Sequence, residues 1–246
     1  MKIQEVKTVI LEGLRPFADK HGYKINKSRF GIFSKERDPL ASIDFTYNTW
    51  GFEVQLFPYV NVKFKIIHEI CEKCGFHLNH CAFINLFLLE EIQKRGSRAN
   101  SLNQMGIAGT DSLTLTESEF SFEYMHQDNP EARDKIIFKE GNEWIDRCNA
   151  IIASLLPYAV DYISQLSNIA GLDRLYNSFP INYNNPNCVG LHVHCMVGLI
   201  SAKLTHNPQY DKLKDIYTTI MRKEDFSEET RQTFFRLVDY LDTAGL

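Results

Sequence analysis

The amino-terminal segment repeats apolar side chains with the spacing of an amphipathic helix. Steps of three and four place these side chains on one helical stripe: Ile3, Val6, Ile10, Leu14 and Phe17. Gly22 follows the stripe as a natural stop. The pattern therefore predicts a first helix over residues 3–20, followed by an extended segment over residues 23–35.

Strict alternation of apolar and polar side chains begins at residue 43 and is typical of a half-buried strand. The apolar members are Ile43, Phe45, Tyr47, Phe52, Val54 and Leu56, and the polar members are Asp44, Thr46, Asn48, Glu53 and Gln55. A hairpin centred between residues 49 and 50 sets Tyr47 opposite Phe52 and collects the apolar members on one face. Residues 60–64 continue the alternation, which predicts a third strand of a meander, and weaker patterns at 113–116 and 120–124 predict one or two more.

Helical signals dominate from residue 129 onward. Asn129 and Pro130 have the order of a helix cap followed by a first-turn proline. A long helix is expected from about residue 142 to beyond Pro157, where the proline should kink or divide it. Further helices are expected at 172–178, 189–205, 210–222 and 227–243, and Asp225 with Glu228 resembles a capping box for the last of them.

Strands followed by helices indicate an α+β protein and not a parallel βαβ sheet. We expect an N-terminal helix with a small antiparallel sheet over residues 1–128. A mainly helical C-terminal half over residues 129–246 is expected to pack on it as one compact unit. A chain of this size buries roughly 70–75% of the surface that its unfolded form exposes, so it forms a core without metal or disulfides.

Charge and hydropathy restrict the classes of function. The 27 basic and 31 acidic side chains give a formal net charge of -4, spread evenly along the chain, so we expect no nucleic-acid partner. The apolar stretches fall short of the roughly 18 residues that a membrane helix needs, and Lys2, Glu5 and Lys7 interrupt the position of a secretory signal. We therefore expect a cytoplasmic protein without a membrane partner, whose six cysteines are reduced.

Residues 68–81 concentrate side chains that commonly bind metal. They are His68, Cys71, Cys74, His77, His80 and Cys81, and Cys-x-x-Cys beside histidines is found in zinc sites. Cys71 and Cys74 also share the helical spacing of Ile67 and Ile70, an apolar stripe that Gly75 would end. We favour this second interpretation, in which the thiols are core side chains, over a zinc site or a redox pair.

A histidine pair, His192 and His194, stands in a mostly apolar run. On a strand the two rings point to one face and can share a metal, whereas on a helix they lie about 200° apart and cannot. The run 189–205 has the length and composition of a buried helix. We therefore expect no metal and no cofactor, and a metal-dependent enzyme or metal-binding protein using His192 and His194 is the alternative.

The polar face of the predicted sheet is the best candidate for a binding site. Its residues are Asp44, Thr46, Asn48, Trp50, Glu53 and Gln55, and Asn61 and Lys63 extend it. The face lines a cleft if the helical half folds over it, and it is solvated if the helices pack elsewhere. Trp50, at the expected hairpin tip, is typical of an aromatic side chain that binds a partner or covers the core.

Several short sequence motifs, spread over most of the chain, follow one another in an order that resembles that of other proteins. They are the helix end His21, Gly22, Tyr23 and Lys24, then Arg29 and Phe30, then Ile43, Asp44 and Phe45, and finally Leu155, Leu156, Pro157 and Tyr158. This series resembles a loose group of uncharacterised bacterial domains that open with a helix, continue with a short antiparallel sheet and end in a helical tail. The resemblance implies an immunity-type or other protein-interaction role.

The chain lacks the sequence signatures of the common enzyme classes. It contains no Gly-x-Gly-x-x-Gly, no Walker loop and no Gly-x-Ser-x-Gly elbow. This absence favours binding over catalysis. We therefore expect a bacterial cytoplasmic protein that acts by binding another protein.

Overall fold

The computed structural model describes residues 3–35, 38–50, 53–86, 89–90, 136–138, 144–178, 180 and 190–245. Within these ranges an N-terminal helix is followed by an antiparallel sheet and then mainly by helices, which confirms the α+β class and the order of its parts. The strands predicted at 113–116 and 120–124, the cap at Asn129 and Pro130, and the division at residue 129 lie outside the described residues.

The described helices and strands follow the predicted sequence of elements closely. The helices are α1 Ile3–His21, α2 Lys65–Lys73, α3 Trp144–Gln165, α4 Ile169–Asn177, α5 Leu191–Leu204, α6 Tyr210–Lys223 and α7 Glu228–Thr243. The strands are β1 Tyr23–Asn26, β2 Gly31–Ser34, β3 Leu40–Trp50, β4 Glu53–Lys63, β5 Ala82–Asn85 and β6 Ile136–Phe138. The helices predicted here are confirmed to within a few residues, and Pro157 does not divide α3.

The described strands form one antiparallel sheet. Its order is β1-β2-β3-β4-β5, and β6 pairs with the first half of β4. β3 and β4 form one long hairpin in which Tyr47 lies opposite Leu56 and Trp50 opposite Glu53. The predicted register, with Tyr47 opposite Phe52, is therefore wrong. The predicted third strand at 60–64 is the second half of β4 and not a separate strand.

The apolar face of the sheet lies in a core that the helices complete. Ile43 and Val60 of the sheet and Ile10 and Leu14 of α1 are fully buried in one continuous cluster, which also contains side chains of each of the helices α2 to α7. At about 25 cal/mol for each Å² of apolar surface removed from water, this burial is the main force that holds the helices on the sheet. The core therefore occupies the side of the sheet opposite the polar face.

Two hydrogen bonds tie the loop after α2 to the C-terminal helices. The Tyr176 hydroxyl of α4 donates to the Cys81 carbonyl at 2.5 Å. The Arg236 Nε of α7 donates to the Cys74 carbonyl at 3.2 Å. Residues 74–81 are thus held in place by helices that lie far along the chain.

The last helix begins with a different cap from the predicted one. The Ser227 side chain accepts a hydrogen bond from the Thr230 N–H at 3.2 Å, which makes Ser227 the N-cap of α7. The predicted capping box of Asp225 and Glu228 is wrong, because Glu228 is the first residue of the helix and not its third.

None of the described helices combines the length and apolar character needed to cross a membrane.

Candidate functional site

The hairpin of β3 and β4 has one face in the core and a polar face on the other side. On the polar face, Ser42 lies opposite Asn61 and Asp44 opposite Tyr59. Along β3 this face is buried at Ser42, half-buried at Asp44 and exposed at Thr46. Asp44 therefore lies where the polar face passes from the interior to the surface.

The remaining predicted binding residues lie nearer the end of the hairpin. The backbone register places Asn48 opposite Gln55 and Trp50 opposite Glu53. Because residues two apart in a strand share a face, these two pairs continue the row that Asp44 begins. The structure thus places all six predicted residues on one face, although their cross-strand partners differ from the predicted ones.

Two neighbouring side chains hold one oxygen of the Asp44 carboxyl group. Asp44 Oδ2 accepts hydrogen bonds from Ser42 Oγ at 2.9 Å and from Asn61 Nδ2 at 2.6 Å. Asp44 Oδ1 and Asn61 Oδ1 are buried and have no hydrogen-bond partner within the described part of the chain. Since buried polar atoms are nearly always paired in folded proteins, these two oxygens set the site apart from the rest of the sheet.

The Asp44 carboxyl group has a raised pKa. Burial raises this pKa from the usual 3.8 to about 6, while the hydrogen bonds from Ser42 and Asn61 and the charge of Arg29 act in the opposite direction. Burial has the larger effect because the ionised carboxylate loses more hydration than two hydrogen bonds return. Strongly shifted carboxyl groups are concentrated at functional sites, which marks Asp44 as the centre of the candidate site.

Gly31 provides the room that the Asp44 carboxyl group occupies. It lies directly opposite Asp44 in the pairing of β2 with β3. A Cβ atom added to Gly31 would lie 2.5 Å from Asp44 Oδ1, closer than two such atoms can approach. Asp44 Oδ1 is therefore directed toward the β2 side of β3, and any larger residue at position 31 would displace it.

An aromatic row adjoins Asp44 on the other side. The Tyr59 ring stacks on the Phe83 ring with 4.4 Å between centroids, and the Phe83 ring stacks on the His80 ring at 5.4 Å. Burial lowers the pKa of His80, which favours its neutral form. Sequence reasoning missed this row because β5 was not predicted. The available signal in the sequence was the apolar run of Ala82, Phe83 and Ile84.

β3 extends beyond the strand that borders it. β2 pairs with β3 from Ser42 to Asp44, and the Phe45 N–H donates to the Phe30 carbonyl at 3.0 Å. Backbone groups alternate between the two sides of a strand, so the N–H and C=O groups of Tyr47 and Thr49 point to the same side as those of Phe45. No strand of the described chain pairs with residues 47–50 on that side, and we name these residues the open edge.

An aromatic side chain is exposed at the open edge. Tyr47 is 40% exposed. The Lys7 ammonium of α1 lies 4.5 Å from the centroid of the Tyr47 ring, and the Phe30 ring lies 6.4 Å away. These contacts place the Tyr47 ring against α1 and Phe30, so the open edge presents an aromatic surface beside backbone groups that no strand of the described chain pairs.

The cysteines between residues 68 and 81 lie in the core, which confirms the interpretation based on helical spacing. Cys71, Cys74 and Cys81 are 4% exposed or less. Burial raises the pKa of the Cys81 thiol to about 12 and that of Cys74 above its usual value. Thiols in this state are weak nucleophiles and weak metal ligands. In the described ranges, no group of three or more His, Cys, Asp or Glu side chains is arranged to hold a metal ion.

His192 and His194 lie on α5, as the helical interpretation of that run predicts. The His192 ring is half-buried and meets the Phe76 and Phe226 rings edge-on at 6.0 and 6.1 Å between centroids. The His194 ring lies between α4 and α6, with its centroid 4.9 Å from that of Tyr176. The helix directs the two histidines to different neighbours, so the structure does not bring them together as a metal-binding pair.

His194 is part of a buried polar network that joins three helices. The Tyr217 hydroxyl of α6 donates to Asn177 Oδ1 at 2.5 Å and lies 3.5 Å from His194 Nε2. Asn177 Nδ2 donates in turn to Asp173 Oδ1 at 2.6 Å. Burial lowers the pKa of His194 to about 4, so the ring is neutral near pH 7. This network stabilises the packing of α4, α5 and α6.

Comparison with known proteins gives no family assignment. No family model, no curated protein and no solved structure matches the chain. The resemblance to uncharacterised bacterial domains therefore stays a prediction.

Proposed function

We propose that this chain acts by binding an extended segment of another protein, which pairs with β3 along the open edge. The proposal rests on the backbone of Tyr47 and Thr49. The N–H and C=O groups of these two residues point away from the hairpin, and no strand of the described chain lies beside them. A partner strand at this position would continue the sheet beyond the end of β2. Strand addition of this kind is a common mode of peptide recognition.

The composition of the edge supports the same conclusion. Residues 45–50, Phe-Thr-Tyr-Asn-Thr-Trp, contain no charged residue and no proline. Proteins usually protect an open sheet edge with charges, proline or a bulge, because an unprotected edge pairs with other chains. An edge without this protection is typical of a strand that has a partner. The implied immunity-type or interaction role belongs to the same class of function.

The affinity has to come from side chains as well as from the backbone. Tyr47 and Thr49 offer four backbone groups, and each hydrogen bond contributes only about 1 kcal/mol net. That total is too small for stable association, since ordering two partners costs several kcal/mol. The exposed Tyr47 ring, on the face of β3 that also carries Phe45, and the polar face on the opposite side of the strand supply the additional contacts. The predicted candidates Asp44, Thr46 and Asn48 all lie within reach of a strand added there.

Amide hydrogen exchange measured by NMR on the isolated chain tests the edge directly. The Tyr47 and Thr49 amides are expected to exchange quickly, whereas the Thr46 and Asn48 amides, which face β4, are expected to be protected. Slow exchange at both Tyr47 and Thr49 in the monomeric chain would show that the edge is already covered. That result would remove the basis of the proposal.

A single substitution tests whether the edge binds the partner. Thr49→Pro removes the outward-facing N–H and leaves the β4 ladder intact, because proline is tolerated where a strand N–H faces solvent. Thr49→Val is the matched control, since it keeps the N–H. Affinity purification from the source cell with both variants and the wild-type chain should recover one partner with wild type and Thr49→Val only. A partner that binds Thr49→Pro with wild-type affinity contradicts strand addition.

A further inference from the structure

A positive charge from α1 lies at the open edge. Lys7 is half-buried, and its ammonium lies 4.5 Å from the centroid of the Tyr47 ring and 5.3 Å from that of the Phe30 ring. Tyr47 shares its face of β3 with the buried Phe45, because residues two apart in a strand point the same way. Lys7 therefore approaches the open edge from the side of the core and not from the polar face.

No carboxylate of the described chain pairs with the Lys7 ammonium. Lys7 forms no salt bridge with a described residue. Its neighbours three and four residues away along α1, where helical side chains meet, are all uncharged: Ile3, Gln4, Ile10 and Leu11. By contrast, Arg15 of the same helix pairs with Glu12 at 2.8 Å. The charge of Lys7 is thus available to a group from outside the described chain.

The open edge begins where the turn between β1 and β2 ends its contact with β3. Residues 27–30 form this turn, and β1 lies on the side of β2 away from β3. Phe30 closes the turn with a φ of 48°, a left-handed conformation that is uncommon for an aromatic residue. Its carbonyl accepts from the Phe45 N–H at 3.0 Å. The chain's own turn therefore borders β3 up to Thr46, and the first place for a partner residue is beside Tyr47.

A partner segment at the open edge brings one of its side chains close to Lys7. Tyr47 directs its N–H and C=O groups outward, so an antiparallel segment places one residue directly opposite it. Directly opposite residues share a face, with about 4.5–5.5 Å between their Cβ atoms. The partner residue that pairs with Tyr47 therefore lies on the face where the Lys7 ammonium contacts the Tyr47 ring.

We propose that Lys7 binds a side-chain carboxylate, of aspartate or glutamate, on the partner residue that pairs with Tyr47. This inference rests on the proposed function and specifies the partner chemistry. A carboxylate supplies the opposite charge and accepts hydrogen bonds from the ammonium, which has three N–H donors and no acceptor. Since a half-buried ion pair is screened less than an exposed one, Lys7 favours an acidic segment over a neutral one and repels a basic one.

Titration of the full-length chain with blocked peptides tests this assignment. The peptides alternate threonine and valine and carry glutamate, glutamine or lysine in place of the central valine, so that the test residue shares a face with the remaining valines. Protection of the Tyr47 and Thr49 amides and the shift of the Lys7 Cε signal are followed by NMR. We expect the glutamate peptide to bind about fivefold more tightly than the glutamine peptide at low salt, and the lysine peptide to bind least tightly.

Variants of Lys7 assign the preference to one ammonium group. Lys7→Met removes the charge but keeps an unbranched side chain over the two rings, and it should bind the glutamate and glutamine peptides equally. Lys7→Arg should keep the preference. Lys20→Met, at an exposed position of the same helix, is the matched control and should also keep it. Should Lys7→Met unfold, about 1 M sodium chloride replaces it, because screening must then reduce the preference of the wild-type chain.

The two proposals fail in different ways. Protection of the Tyr47 and Thr49 amides by any of the peptides reports strand addition alone. Protection without a preference for glutamate, or a preference that survives in Lys7→Met, overturns the carboxylate assignment and leaves the proposed function standing. Failure of every peptide to protect the two amides overturns strand addition and the carboxylate assignment with it.

Discussion

Replacing Asp44 by asparagine is expected to stabilise the protein at neutral pH. Burial raises the pKa of the Asp44 carboxyl from 3.8 to about 6. The folded chain therefore holds this proton more tightly than the unfolded chain, so the contribution of Asp44 to stability is complete below pH 3.8. It is lost as the pH rises through about 6, because the carboxyl then ionises while still buried.

The size of the effect follows from the pKa difference. At about 1.4 kcal/mol for each pKa unit, the difference corresponds to about 3 kcal/mol. Asp44 is half-buried, and solvent screening of its exposed part reduces the expected value to about 2 kcal/mol. Asparagine cannot ionise, and its side-chain oxygen can still accept from Ser42 and Asn61. The free energy of unfolding of Asp44→Asn should therefore exceed that of the wild type by about 2 kcal/mol at pH 7.5 and equal it at pH 4.

Urea denaturation at several pH values between 4 and 7.5 measures this difference. Asp239→Asn is the control, because an exposed carboxyl without special contacts changes stability by less than about 0.5 kcal/mol. A loss of stability in Asp44→Asn at pH 7.5, or a difference that does not vary with pH, would refute the reasoning. Either result would mean that the carboxylate has partners that compensate for its burial.

His194→Gln should flatten the pH dependence of stability between pH 4 and 6.5, measured by the same urea titrations. Burial lowers the pKa of His194 from 6.5 to about 4. The neutral ring therefore contributes about 3 kcal/mol to the free energy of unfolding above pH 6.5, and this contribution is lost as the pH falls toward 4. A wild-type slope that persists in His194→Gln would assign it to other groups. Ser227→Ala should lower the free energy of unfolding by about 1 kcal/mol through loss of the α7 cap, whereas Asp225→Ala should leave it unchanged in chemical denaturation. The reverse order of the two variants would restore the capping box that the sequence suggested.

The helices could be predicted because their signal is local. The stripe of Ile10 and Leu14 in α1 fixes which side of the helix is buried, whatever the rest of the chain does. The same holds for α5, whose composition identified a buried helix and thereby separated His192 from His194. Local spacing also placed Cys71 and Cys74 in the core.

The register of the hairpin could not be predicted from alternation. Moving each strand by two residues keeps every side chain on its face, so pairing Tyr47 with Phe52 or with Leu56 satisfies the same pattern. Pro58 made residues 57–59 look like a break between strands. In the structure Pro58 lies opposite Phe45, whose N–H faces β2, so the missing N–H of Pro58 belongs to the other side of β4. There it falls between the stretches that pair with β6 and β5.

The candidate site could be predicted only in part. The alternation of apolar and polar residues placed Asp44 and Thr46 on a polar face, but it gave no reason to distinguish one residue of that face from another. The difference between them comes from contacts across strands, because Asn61 and Gly31 decide which oxygen of Asp44 is bonded and where the other points. The open edge depends on the length of β2 relative to β3. Neither feature is encoded by neighbouring residues.

The hydrogen bonds that hold the loop after α2 also determine the order in which the chain can fold during synthesis. Arg236 follows its acceptor Cys74 by 162 residues, which at 5–20 residues per second takes roughly 8–30 s to translate. Until then the loop after α2 lacks this hydrogen bond, and the apolar side of α2 stays without its cover until α5, the later helix that packs on it, has been made. The growing chain therefore exposes Ile67 and Ile70 for many seconds. The nascent chain, and not only the finished protein, needs protection from association during that time.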